Sequence, residues 1–237
     1  HDILNYFDID PIYRKYNHDK LTFTITYAFS EHYILPFSHD EVVHMKGSMI
    51  NKMHGDYDNK FKALMSLYAY QFAHPGKKLM FMGDEIGTFE EWNYDKELSW
   101  SVLNYENHQR LQNFIKKLNE VYTSEKSLHE VEDDYSGYEW IVVDDKDANT
   151  IAFERIDRSG NKVLCFFNFS PEYRLGYRFG VDSKGMYKIL INSAHKEFGG
   201  SINRNTPYYA KEISAHGRPY SIEVDLPPYA AIFVKHR

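Results

Sequence analysis

Hydrophobic and polar positions follow two different rhythms along this chain, and the change falls near residue 125. Before it, helical spacing alternates with short apolar runs. Residues 34–38 (Ile-Leu-Pro-Phe-Ser) predict a strand that leads into the polar cluster His39, Asp40, Glu41. Between 58 and 73, Phe61, Leu64, Met65, Tyr68 and Phe72 recur at threes and fours, which predicts an amphipathic helix capped by Asp56 or Asp58. His74-Pro75-Gly76 stops it, because proline cannot continue a helix and glycine turns easily out of one. A second apolar run at 79–83 ends in Asp84 and Glu85, and a second helix over about 106–122 gathers Leu111, Phe114, Ile115, Leu118 and Val121 on one face. The order is strand, helix, strand, helix, with polar residues after each strand. Parallel β/α architectures carry their active sites at that edge.

After the change, strand-like runs take over at 138–143, 150–156, 163–170, 173–179, 186–192, 221–225 and 230–235. Ser-Gly, Gly-Asn and Pro-Pro turns separate them, a pattern that favours an antiparallel sandwich. Two units are therefore expected, an α/β unit over 1–126 and an all-β unit over 127–237. The first residues already read as a helix from the middle of a domain.

Composition narrows the function classes. With 43% hydrophobic and 26% charged residues the chain is globular rather than disordered. A net charge of −6 argues against nucleic acid or a membrane surface, both of which want a basic face, whereas a neutral polymer would be indifferent to it. No apolar stretch is long enough for a membrane span. A single cysteine excludes an internal disulfide framework and fits a reducing, cytoplasmic setting; Cys165 itself lies in an apolar run and reads as a small core residue. The 20 tyrosines and 16 phenylalanines could stack on sugar rings, but aromatic residues also fill cores and suit strands.

The densest polar block is Ser38-His39-Asp40-Glu41-Val42-Val43-His44. Its end looks like a zinc-protease motif, but His39 and His44 are five apart, so on a helix they diverge by about 140° and cannot share a metal. Two readings stay open: a solvated turn with a helix cap, or a carboxylate and an imidazole gripping a sugar. Gly83-Asp84-Glu85-Ile86-Gly87 is either a tight turn or a second acidic lip of the same cleft. Glu91-Trp92-Asn93 offers a stacking surface and an amide, or simply a buried Trp. Lys77 and Lys78 lack the glycine spacing of a phosphate loop.

These pieces, in this order, resemble the α-amylase superfamily and within it the glycogen branching enzymes. The resemblance runs through His1-Asp2, Asp10-Pro11, Leu21-Thr22-Phe23 and Tyr27-Ala28-Phe29-Ser30-Glu31, then Leu35 to His44, where it is most specific. It continues through Asn51-Lys52-Met53, Gly55-Asp56, His74 to Leu79, Phe81-Met82-Gly83 followed by Glu85, and Glu91-Trp92-Asn93, and it closes on Leu226-Pro227-Pro228-Tyr229-Ala230.

The resemblance implies the C-terminal portion of a (β/α)8 barrel, from just after the sixth strand, followed by the antiparallel β-sandwich domain. It implies retaining transfer of an α-1,4-linked glucan chain to a 6-hydroxyl, which uses two carboxylates about 5 Å apart. Neither has a matching motif here, and the family carries both upstream of His1, so the chain alone is expected to be inactive. What matches is a third acid: Asp40 would stabilise the positively charged transition state. His39, Glu41, Asp84, Glu85 and Trp92 would bind substrate. Asp84 departs from the family pattern, where Gln or another neutral residue is expected. No cofactor or metal is implied. The partner is an α-1,4-glucan, and the open edges of a partial barrel imply a partner chain or a swapped dimer. Another α-glucan-acting enzyme, such as a trehalose-releasing hydrolase, and a non-catalytic glucan-binding fragment are the alternatives; the Glu91-Trp92-Asn93 and Leu35–His44 blocks favour branching.

Overall fold

The computed structural model describes residues 2–237. Helix α1 (Asp2–Asp8) and the short α2 (Asp19–Thr22) precede strand β1 (Ile34–Phe37). Helix α3 (Tyr57–Ala73) leads to β2 (Lys77–Met80), and α4 (Glu106–Ser124) closes the first half. Strands β1 and β2 pair in parallel, with Phe37 opposite Met80 at their C-terminal ends. Two such strands form no closed barrel among the described residues.

Helix α3 begins where Asp56 accepts a hydrogen bond from the Asn59 amide at 2.9 Å, so Asp56 rather than Asp58 is the cap. The helix is not amphipathic in its second half: every residue from 63 to 73 is buried. Its only polar side chains there, apart from two tyrosine hydroxyls, are Ser66 and Gln71. Gln71 donates to the carbonyls of Leu35 at 2.7 Å and Leu79 at 3.2 Å, and so ties the helix to both parallel strands. The second strand starts and stops earlier than its apolar run suggested, at Lys77 and Met80. Phe81 cannot extend the ladder because its amide is taken by the Asp84 carboxylate at 3.1 Å. Lys77 and Lys78 meet Glu132, at 2.7 and 3.8 Å.

The second half contains β3 (Tyr138–Asp145), β4 (Thr150–Ile156), β5 (Lys162–Asn168), β6 (Arg174–Val181), β7 (Met186–Asn192), β8 (Tyr208–Tyr209), β9 (Tyr220–Leu226) and β10 (Ala231–His236). All seven anticipated strands form, and β8 is the one that the sequence pattern left out. A six-stranded sheet of order β3-β4-β5-β10-β7-β8 faces the pair β6–β9. Every pairing in both sheets is antiparallel.

Strands β4 and β5 are buried along nearly their whole length because the large sheet is covered on both faces. Ala152, Leu164, Phe166, Ile232 and Val234 pack toward β6 and β9, where Phe166 stacks on Phe179 at 4.1 Å. Ile151, Phe153, Cys165, Phe167 and Phe233 share a core with α3 and α4. Cys165 is fully buried, as its neighbours implied, and burial pushes its thiol well up.

Two fully buried arginines lock the halves together. Arg155 on β4 donates to the carbonyls of Ala73 at 2.8 Å, Val131 at 3.0 Å and Gly137 at 3.2 Å, so a sandwich side chain satisfies the end of α3. Arg14 donates to Phe7 and Phe169, both at 2.7 Å, and to Ile9 at 3.0 Å. Among the described residues no helix is long and apolar enough to cross a membrane.

Replacing Arg155 by Leu orphans three buried carbonyls and is expected to cost about 3 kcal/mol or more of unfolding free energy in urea. Arg158→Leu, at an exposed neighbour, should stay within about 0.5 kcal/mol.

Candidate functional site

Because β1 and β2 are parallel neighbours in register, the loops that follow them leave the same edge of the sheet. The first loop opens on a 3-10 turn, His39–Glu41. His39 Nε2 lies 3.2 Å from Asp40 Oδ1, and both side chains are more than half exposed. An exposed carboxylate with an imidazole beside it can accept and donate hydrogen bonds to a polyol. Glu41 is half-buried and borders a small cavity of about 180 Å³ with Asn5, Lys46 and Lys52.

The second loop supplies the wall. Trp92 is half-buried, and its ring stands edge-on to His39 at 6.2 Å and to Phe81 at 5.3 Å. Its amide donates to the Val42 carbonyl at 2.9 Å, which stitches the second loop to the first. Beside this wall opens a cleft of about 760 Å³, lined by His44, Met82, Asp84, Glu91, Trp92 and Tyr94 among others. His39 and Asp40 do not line it. They stand at its margin, joined to it through Trp92.

Asp84 and Glu85 use their carboxylates within their own loop. Asp84 Oδ2 accepts from the Phe81 amide at 3.1 Å and Glu85 Oε2 from the Gly83 amide at 3.0 Å, inside a turn bounded by the left-handed Gly83 and Gly87. Of the two readings open for this segment, the local contacts are those of a tight turn. Asp84 is buried, and burial pushes its carboxyl up to about 8; the Phe81 amide works against this and the Glu85 charge adds to it. Near neutrality the side chain is therefore protonated, which reconciles an acid with a position where a neutral residue was expected. The Tyr68 hydroxyl donates to the Asp84 carbonyl at 3.2 Å and fixes the loop from below.

Glu91 stands in the block that the sequence singles out, but only its neighbours Trp92 and Asn93 suggested roles there. Its carboxylate accepts from the amides of Gly47 at 2.8 Å and Met45 at 3.1 Å, and those bonds hold it below the usual carboxylate range. Main-chain partners have no side-chain signature, so spacing could not reveal them. Among the described residues no group of three or more His, Cys, Asp or Glu side chains is arranged to hold a metal ion.

Comparison with known proteins defines the class first. Residues 140–237 match the alpha amylase C-terminal all-beta domain. The fold is shared, at a TM-score of 0.67 and 12% identity, with a crystal structure of a pullulanase complexed with maltotetraose from Anoxybacillus sp. LM18-11, over 98% of this chain and 32% of that one. The family match is confined to the all-β half, and the likeness to the pullulanase is one of fold.

By sequence the chain is similar to bacterial 1,4-α-glucan branching enzymes. It is 48% identical over 237 residues to the 1,4-alpha-glucan branching enzyme GlgB of Aquifex aeolicus, and 48% identical over 238 residues to that of Halothermothrix orenii. Each match takes in 99% of this chain and 38% of the relative, so the chain spans well under half of their length.

The buried Asp84 sets a pH dependence. A carboxyl raised in the folded state contributes stability that is fully present below about pH 4 and is lost as pH rises through about 8. Asp84→Asn should remove that loss. Its stability advantage over the wild type is expected to be near zero at pH 4 and to grow by up to about 1.4 kcal/mol per pH unit until about pH 8, as read by urea unfolding across pH.

Proposed function

We propose that this chain forms part of a 1,4-α-glucan branching enzyme, and that the edge beyond β1 and β2 is where it meets the glucan. The observation that carries the reading is the joint placement of His39, Asp40 and the Trp92 wall at the ends of two parallel strands. The names of the relatives, shared over nearly the whole chain, support it.

In this reading β1, α3, β2 and α4 are the last strands and helices of a (β/α)8 barrel occupying residues 1–126, with the sandwich over 127–237. Asp40 stabilises the oxocarbenium-like charge that develops as an α-1,4 bond breaks. His39 donates a hydrogen bond to the same sugar, Trp92 supplies an apolar face for a ring, and Glu41 borders the path of the chain. Asp84 and Glu85 shape the loop that carries the cleft rather than gripping hydroxyls themselves. The nucleophile and the acid/base belong to the part of the longer relatives that this chain does not span, so the chain alone does not catalyse transfer. Exposed Ile34 and Leu79 on the two-stranded sheet are apolar surface that the rest of a barrel would cover, and in isolation they favour a partner chain. The setting is cytoplasmic.

The test is the full natural protein acting on amylose, followed by loss of iodine colour and by debranching of the product. Asp40→Asn should lower kcat by about 10²–10³-fold while leaving the fold intact. Trp92→Ala should act mainly through binding and raise KM about tenfold, equivalent to about 1.4 kcal/mol. Unchanged branching by Asp40→Asn would overturn the assignment. Glucan binding without any new α-1,6 linkage in the wild type would favour a non-catalytic glucan-binding role.

A further inference from the structure

We infer that Glu91 is a positioning residue: its carboxylate latches the loop bearing His39 and Asp40 to the loop bearing Trp92. The inference rests on the glucan-site reading above. Met45 and Gly47 both lie in the left-handed region, with φ of 70° and 74°. Alternate amides of such a turn converge on one side and form a concavity suited to an anion. Glu91 fills it from the other loop, with Oε1 on the Gly47 amide at 2.8 Å and Oε2 on the Met45 amide at 3.1 Å. His44 Nδ1 stands 3.6 Å from the same carboxylate.

The latch reaches the site on both sides. On Glu91's own loop the next residue is Trp92, whose amide is held by the Val42 carbonyl at 2.9 Å. Within the turn, Lys46 Nζ donates to the Asp40 carbonyl at 2.7 Å, and Lys52 Nζ donates to the Lys46 carbonyl at 2.6 Å. The turn is costly for Met45, because a non-glycine residue rarely adopts positive φ. Two charge-assisted hydrogen bonds to one carboxylate offset that strain. Without them Met45 relaxes, Lys46 swings away from Asp40, and the distance between Asp40 and the Trp92 wall is no longer held.

The test uses the full natural protein with Glu91→Gln and the double variant Glu91→Gln/Met45→Gly. A glutamine side chain in place of Glu91 has one acceptor oxygen where the carboxylate has two, so it cannot hold both N–H groups in the same way. Glycine at position 45 adopts the turn without help. Glu91→Gln should lower kcat/KM on amylose by about 10- to 100-fold, as expected for a displacement near 1 Å, with a melting temperature within about 3 °C of wild type. The double variant should recover to within about threefold of wild type. Wild-type activity in Glu91→Gln would overturn the inference. So would a folded, impaired Glu91→Gln that Met45→Gly does not rescue, because Glu91 would then act on the glucan directly. A second readout does not depend on activity: amide hydrogen exchange at Met45 and Gly47 should quicken about tenfold or more in Glu91→Gln. Unchanged exchange overturns the latch, whereas a wild type that exchanges as expected but lacks branching activity counts against the function reading alone.

Discussion

The pairing of β1 with β2 is the constraint on which the site depends. Antiparallel neighbours would send the two following loops to opposite ends of the sheet. Parallel pairing, with Phe37 opposite Met80, sends both to one edge. Gln71 makes the arrangement specific, because one amide group spans the carbonyls of Leu35 and Leu79 and therefore senses the spacing of the two strands. A helix that is buried at every residue from 63 to 73 and contributes a single bridging amide is a stiff support for two exposed loops. The chemistry-bearing residues His39 and Asp40 can then remain in solvent.

That support is itself anchored in the all-β half. The end of α3 has no free carbonyl at Ala73, because Arg155 reaches across from β4 to take it. Arg14 does the same for the opening segment through Phe7 and Phe169. Both guanidiniums are fully buried and bonded to main-chain oxygens, an arrangement whose energetic worth lies in leaving nothing unpaired. The large sheet is covered on both faces, with the β6–β9 pair on one side of its strands and the helices on the other. The second half thus acts as the foundation of the first.

Much of this was legible in the chain itself. The threes and fours of Phe61, Leu64, Met65, Tyr68 and Phe72 locate α3, and apolar runs with turn residues between them locate seven strands. What periodicity could not supply was the assignment of strands to sheets, because β6 and β9 have the same apolar character as their neighbours. Strand β8 has two residues and no period to detect. The site was legible as residue types but not as orientation: Asp40 and His39 are exposed at a strand end, as their cluster suggested, whereas Asp84 turns into its own loop. The role of Glu91 was hidden for a different reason. Its partners are amides of Met45 and Gly47, and main-chain groups look alike in every sequence.

The claim that the paired strand ends are the glucan-facing surface is tested most directly by a crystal structure of the full natural protein with maltoheptaose. The account predicts a glucose ring against the Trp92 face with its hydroxyls within hydrogen-bond distance of Asp40 and His39. Sugar bound only on the antiparallel sandwich, with the strand ends bare at saturating ligand, would contradict it.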